Sequence, residues 1–101
     1  MPRVADNPGE SRFEIFTDDG ERAGFAEHER QPGVMALRHT EVDDRFGGQG
    51  LGSALARGAL DAAREEGLAV LPFCPFIRRW IGNHPEYADL VPADQRERFG
   101  L

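Results

Sequence analysis

The glycine-rich stretch from Gly47 to Ser53 contains residues that could hold an anion. Glycines let a phosphate approach the backbone with no β-carbon in the way. If a helix starts here, its first N–H groups and the positive end of its dipole also favour negative charge. A glycine-rich connection that only turns a corner would have the same residues, so glycines alone leave both interpretations open.

Cys74 is the only cysteine in the chain and lies between an apolar segment and Pro75. Proline is favoured at the first position of a helix and pushes the preceding residue out of helical geometry, which places Cys74 at an N-cap. The helix dipole there would favour the thiolate. Pro72 cannot donate a hydrogen bond to a sheet, so we expect strand pairing to be interrupted nearby. The alternative is a buried thiol that acts as a small hydrophobe.

His39 could act as a general base, since a histidine gains and loses its proton near neutral pH. A satisfied core histidine fits the same position. His28 and His84 have no metal-like spacing to each other or to Cys74, so the sequence predicts no metal site. Trp80 and the neighbouring Phe76 fit the core or the wall of a pocket.

Strand patterns dominate the first half of the chain. Residues 1–10 are polar and contain two prolines and a glycine, which predicts a flexible N-terminal tail. Apolar and polar residues alternate from Arg12 to Thr17, and two further strands are expected over 22–29 and 34–42. In the last of these, the period of two places Met35, Leu37, His39 and Glu41 on one face.

After Gly50 the period changes to that of a helix, which Gly67 ends. A short buried strand over 68–73, a second helix over 76–83 and a possible third over 92–99 complete the order β-β-β-α-β-α. The sequence therefore predicts a mixed α/β (α+β) fold, with one domain over residues 11–101.

The turn from Gly48 to Leu55, placed after a strand and opening a helix, resembles motif A of the GNAT superfamily of N-acetyltransferases. A closer resemblance is to its short, stand-alone members, which share three blocks with this chain: 39–42, 48–55, and 72–76 running on to 84–87. The resemblance implies a minimal GNAT fold, with an antiparallel meander, a mixed sheet and splayed strands, and acetyl-CoA as co-substrate. The implied cofactor-binding residues are Thr40, Glu41, Val42, Arg45, Gly47, Gly48, Gln49, Gly50, Leu51, Gly52 and Ser53.

One position departs from that pattern, because Gly47 replaces the usual Arg or Gln; Arg45 could supply the lost anion contact. The resemblance also implies Cys74 and His39 as catalytic residues. His39 could take a proton from an amine that attacks the thioester directly, or Cys74 could first accept the acetyl group. A non-catalytic acyl-CoA-binding or interaction module and a structural domain without a ligand are the alternatives to an enzyme.

Composition limits the partners. Twelve basic residues, all arginine, against eighteen acidic ones give a net charge of -6, which argues against a nucleic-acid partner and suits an amine acceptor, a small molecule or peptide. A single cysteine fits a reducing cytoplasm, and no segment is apolar enough to predict a membrane span. We expect a cytoplasmic monomer or homodimer.

Overall fold

The computed structural model describes residues 1–101 and contains five strands and two α-helices. The strands are β1 (Arg3–Asn7), β2 (Arg12–Phe16), β3 (Arg22–Gln31), β4 (Val34–Val42) and β5 (Ala69–Pro72), and the α-helices are α1 (Leu51–Glu65) and α2 (Pro75–Gly82). Short 3-10 turns occupy Pro8–Glu10, Asp44–Phe46, Pro85–Leu90 and Ala93–Gln95. None of the helices has both the length and the apolar surface needed to cross a membrane.

All the strands form a single mixed sheet in the order β1-β2-β3-β4-β5. Neighbours from β1 to β4 are antiparallel, and β5 runs parallel to β4 after the crossover through α1. This is the predicted fold class, a meander followed by β-α units, and that prediction is confirmed.

The prediction of a flexible tail over residues 1–10 is wrong for residues 3–7, because they form β1. This strand pairs with β2 from Arg3 opposite Phe16 to Asn7 opposite Arg12. The proline and glycine that indicated a tail form a tight turn, in which the Asn7 side chain accepts a hydrogen bond from the Glu10 N–H at 3.3 Å. The meander therefore has one more strand than predicted.

The second predicted helix is confirmed as α2, but the possible third over 92–99 is not a helix. Only Ala93–Gln95 forms a 3-10 turn there. The segment is held by Phe99, which is buried and packs its ring edge-on against Phe73 at 5.4 Å between centroids.

Helix α1 packs against one face of the sheet through a narrow apolar stripe. Its fully buried side chains include Leu55 and Leu60, and the rest of the stripe is largely alanine. At Gly58 the helix approaches β1 so closely that a β-carbon would lie 2.9 Å from the Cβ, Cγ1 and Cγ2 atoms of Val4. Small residues therefore set the spacing between helix and sheet.

A bulge in β4 changes which side chains face the helices. His28 lies opposite Leu37, but its neighbour Glu27 lies opposite His39, which leaves Arg38 as an extra residue. Arg38 and His39 are consequently both exposed. The prediction that His39 shares a face with Leu37 is wrong, because a bulge breaks the period of two.

Pairing between β4 and β5 is short, as expected from Pro72. The last aligned pair is Leu37 with Pro72. The Phe73 N–H then donates a hydrogen bond within its own segment, to Leu71 O at 3.1 Å. The Cys74 N–H donates to Leu37 O at 2.9 Å. Beyond Leu37, β4 continues to Val42 without a partner on this side, so the strands splay apart.

We expect Gly58→Ala to destabilise the protein, although alanine is the better helix former. The clash with Val4 should cost about 1–3 kcal/mol through overpacking, whereas the higher helix propensity of alanine should gain about 1 kcal/mol. Urea unfolding of the variant and of the unaltered chain measures the net change in the free energy of unfolding. In a Val4→Ala background the cost should shrink, because two of the three clashing atoms are absent. An equal cost in both backgrounds would contradict the packing of β1 under α1.

Candidate active site

A cavity of about 450 Å³ lies where the splayed part of β4 meets the first turn of α1 and the side of α2. It is lined by Thr40, Val42, Phe46, Gly47, Gly48, Gly50, Leu51, Gly52, Ser53, Phe76 and Trp80. Its position at the open end of the strand pair makes it the place where a ligand could contact both the strand and the helix terminus.

The backbone N–H groups from Gly48 to Ser53 have no hydrogen-bond acceptor within the protein. The next N–H group along the chain, that of Ala54, donates to Gly50 O. Gly48 and Gly50 adopt φ angles of 79° and 73°, which turn the chain into the helix and favour glycine. Gly50 is the N-cap and has no side chain to satisfy these donors. The turn therefore fits an anionic ligand group.

Aromatic side chains of α2 form the opposite wall. The Trp80 Nε1–H donates to Ser53 Oγ at 2.7 Å, which ties α2 to the start of α1. Phe76 lies so close to Gly52 that a β-carbon there would be 3.1 Å from the ring atom Cζ. The prediction that Phe76 and Trp80 lie in the core or in a pocket wall is therefore confirmed. Phe46 was missed, although it directly precedes the glycines.

Most of the predicted cofactor residues line this cavity, but three do not. Glu41 lies on the opposite face of β4, and Gln49 is exposed outside the lining. Arg45 is held away by Glu21 Oε2 at 2.9 Å and Asp43 Oδ2 at 3.3 Å. The Arg45 backbone N–H, together with its guanidinium, lowers the pKa of the Asp43 carboxyl.

Cys74 occupies the N-cap of α2, as predicted from Pro75. Its side chain is almost fully buried, with the residue 3 % exposed. The thiol contacts Thr40, with Sγ 3.5 Å from Oγ1. Since Thr40 lines the cavity, Cys74 lies directly behind its wall.

His39 lies on the other face of β4 from Thr40. Its side chain is 53 % exposed, and Nε2 is 3.2 Å from Glu41 Oε1. The ring packs against Phe25, at 6.1 Å between centroids. The structure thus places the two predicted catalytic residues on opposite sides of β4, with Cys74 against Thr40 and His39 on the exposed face, and without a hydrogen bond between them.

Behind Trp80, a polar cluster fixes α2 and the following turn against α1. The ring of His84 stacks on Trp80 at 3.7 Å, and Tyr87 packs against the indole at 5.1 Å. The Tyr87 hydroxyl donates to Asp61 Oδ1 at 2.7 Å and accepts from Arg57 at 3.2 Å. Burial, then the hydrogen bond to Asp61, raise the pKa of Tyr87 above its usual value.

This fold, with a glycine-rich turn at the splayed end of a mixed sheet, is that of GNAT-type domains. Residues 12–90 match the family model of the GCN5-related N-acetyl-transferase, and the chain belongs to that family. The resemblance inferred from the motifs is therefore confirmed.

Relatives and solved structures agree with this assignment. The chain is 36% identical over 52 residues to protein NATD1 of Gallus gallus, Mus musculus and Homo sapiens. That match covers 52% of the chain and 46% to 47% of those proteins, so the chain spans about half the length of the curated relatives it matches.

Two solved structures have the same fold. A GCN5-like protein from Staphylococcus aureus superposes with a TM-score of 0.67 at 24% identity, over 88% of this chain and 86% of that one. Ard1 from Thermoplasma volcanium gives a TM-score of 0.55 at 27% identity, over 63% and 44%.

Tyr87 is the only tyrosine, so absorbance near 295 nm reports its ionisation directly. We expect the midpoint of the Tyr87 titration to lie above pH 10 in the folded protein. In Asp61→Asn it should return towards 10, because the carboxylate that favours the protonated hydroxyl is removed. Because the folded-state pKa is raised, this contribution to stability is complete below about pH 10 and is lost as pH rises through the folded-state value. Tyr87→Phe should show less alkaline loss of stability; an unshifted midpoint would contradict the buried hydrogen bond.

Proposed function

We propose that this protein transfers an acetyl group from acetyl-CoA to an amine. The observation that carries the proposal is the run of unpartnered N–H groups from Gly48 to Ser53 beside a cavity at the splayed strands. Family membership supports the same reaction class.

The residues present fit the proposed co-substrate. The free N–H groups of the turn would hold its diphosphate, since backbone donors at a helix N-terminus suit phosphates. Thr40 and Val42 on β4, together with Phe76 on α2, would line the pantetheine arm. The Asp43 N–H donates to Ala23 O on β3, so by the alternation along a strand the Val42 N–H points towards the gap and would polarise a carbonyl there.

When bound, acetyl-CoA supplies a thioester whose carbonyl carbon bonds to the amine nitrogen while the C–S bond breaks and coenzyme A leaves as its thiolate. His39 would remove the proton that the amine nitrogen must lose, and this proton passes through solvent to the thiolate. The acceptor would approach from the face of the sheet that carries His39, because α1 and α2 occupy the other face.

The route through an acetyl-cysteine is less well supported. The Cys74 thiol donates to Thr40, and no histidine or carboxylate is a hydrogen-bond partner that could take its proton. A nucleophilic cysteine is ordinarily activated by such a neighbour. We therefore propose direct transfer, with Cys74 supporting the wall at Thr40.

Coenzyme A should change the fluorescence of Trp80, the only tryptophan, because the indole lines the cavity. At a concentration about 100 times the dissociation constant, it should also stabilise the protein by about 2.7 kcal/mol, measured by thermal melting. Gly52→Ala should weaken binding, since the new methyl group pushes Phe76 into the cavity. The control is Gly82→Ala, whose β-carbon would meet only Leu101 at 4.0 Å. No response to coenzyme A would contradict the proposed function.

Replacement of His39 separates the two mechanisms. His39→Ala should lower kcat with acetyl-CoA and an amine by about 100- to 10,000-fold, the usual contribution of a general base. Coenzyme A binding should not change. Cys74→Ala should keep turnover in direct transfer, whereas loss of turnover together with an acetyl adduct on Cys74 in the unaltered chain would require the covalent route. Binding without turnover for any amine would identify a non-catalytic module.

A further inference from the structure

The face of the sheet opposite the helices has its own group of functional side chains around the β4 bulge. Because Arg38 is the extra residue, His39 and Glu41 both lie on this face. On the adjacent strand β3, Glu27 lies opposite His39 and Phe25 lies opposite Glu41. Glu41 is thus separated from the cofactor cavity by the strand itself, and a cofactor-binding role does not fit its position.

His39 has one charged side chain in contact, Glu41. Their separation of 3.2 Å from Nε2 to Oε1 is within ion-pair distance. Glu27 is in register with His39 but forms no ion pair, and the Arg38 guanidinium is engaged by Glu29 at 3.0 Å. Phe25 packs on the ring from the adjacent strand. The imidazole therefore has one carboxylate and one aromatic ring as its neighbours.

A second cavity, of about 560 Å³, lies beside Glu41, and His39 is not among its lining residues. Its lining includes Glu41 and Phe25 and, in common with the cofactor cavity, Thr40 and Val42. The two cavities thus meet at one short segment of β4. An amine in the second cavity would lie beside Glu41 and close to the thioester site.

We propose that Glu41 is a positioning residue for His39. Its carboxylate, 3.2 Å from Nε2, favours the tautomer with the proton on that nitrogen, which leaves Nδ1 without a proton and free to take one from the acceptor amine. The partner of one ring nitrogen thereby selects the tautomer that the other needs for catalysis. This inference rests on the proposed function, in which His39 is the base.

The test compares Glu41→Gln with Glu29→Gln. Both replace an exposed glutamate by its neutral isostere on the same sheet face; the side chains are 61% and 52% exposed. Only Glu41 contacts His39. Glu41→Gln should lower kcat by about 10- to 100-fold, less than loss of the base itself. The KM for acetyl-CoA and the coenzyme A affinity measured by Trp80 fluorescence should not change. Glu29→Gln should retain the kcat of the unaltered chain.

A measurement without any substrate completes the test. Long-range ¹H–¹⁵N NMR spectra of the neutral imidazole should show the proton of His39 on Nε2 in the unaltered chain and in Glu29→Gln, but a mixture of tautomers in Glu41→Gln. If the chain is active and both variants keep their kcat and tautomer, the positioning role is wrong and the proposed function stands. If the unaltered chain binds no coenzyme A and acetylates no amine, the proposed function is wrong and this inference falls with it.

Discussion

The site depends on the early end of pairing between β4 and β5. Pro72 has no N–H to donate, and the chain turns out of the sheet directly after it. The last link is the hydrogen bond from the Cys74 N–H to Leu37 O, after which α2 begins. β4 therefore keeps one edge free up to Val42. A longer β5 would fill this edge with a ladder of hydrogen bonds and close the gap that the cavity occupies.

The bulge at Arg38 gives the free part of β4 two different faces. Towards the helices it presents Thr40, which contacts Cys74 and lines the cavity beside the glycine turn. Towards the open side it presents His39 and Glu41. Without the bulge, strict alternation along the same sequence would place His39 on the face of Leu37, which is buried under the helices. The bulge thus separates the cavity proposed for the co-substrate from the exposed side proposed for the acceptor.

Local features of the site could be predicted from sequence, whereas features that depend on distant residues could not. The glycine turn and the N-cap at Cys74 follow from φ preferences and proline geometry within a few residues. The strand at residues 3–7 needed knowledge of its partner, since its polar sequence is stabilised by pairing with β2 and by Val4 against Gly58. The exposed position of His39 needed the register with β3. Arg45 was expected at the phosphate site, but Glu21, far away in sequence, binds it.

The open face remains accessible because its aromatic rings are covered by arginines and not by further helices. A guanidinium group is planar and weakly hydrated, so it can lie on a ring while its charge stays in water. In this way a short chain shields its second sheet face without a second helical layer, and Met1 is the only large apolar side chain left exposed. The side chains of His39 and Glu41 on this face then stay exposed. The stacked pairs on this face are Arg3 with Phe16 at 4.6 Å, Arg12 with Phe25 at 4.9 Å and Arg38 with Phe73 at 5.1 Å.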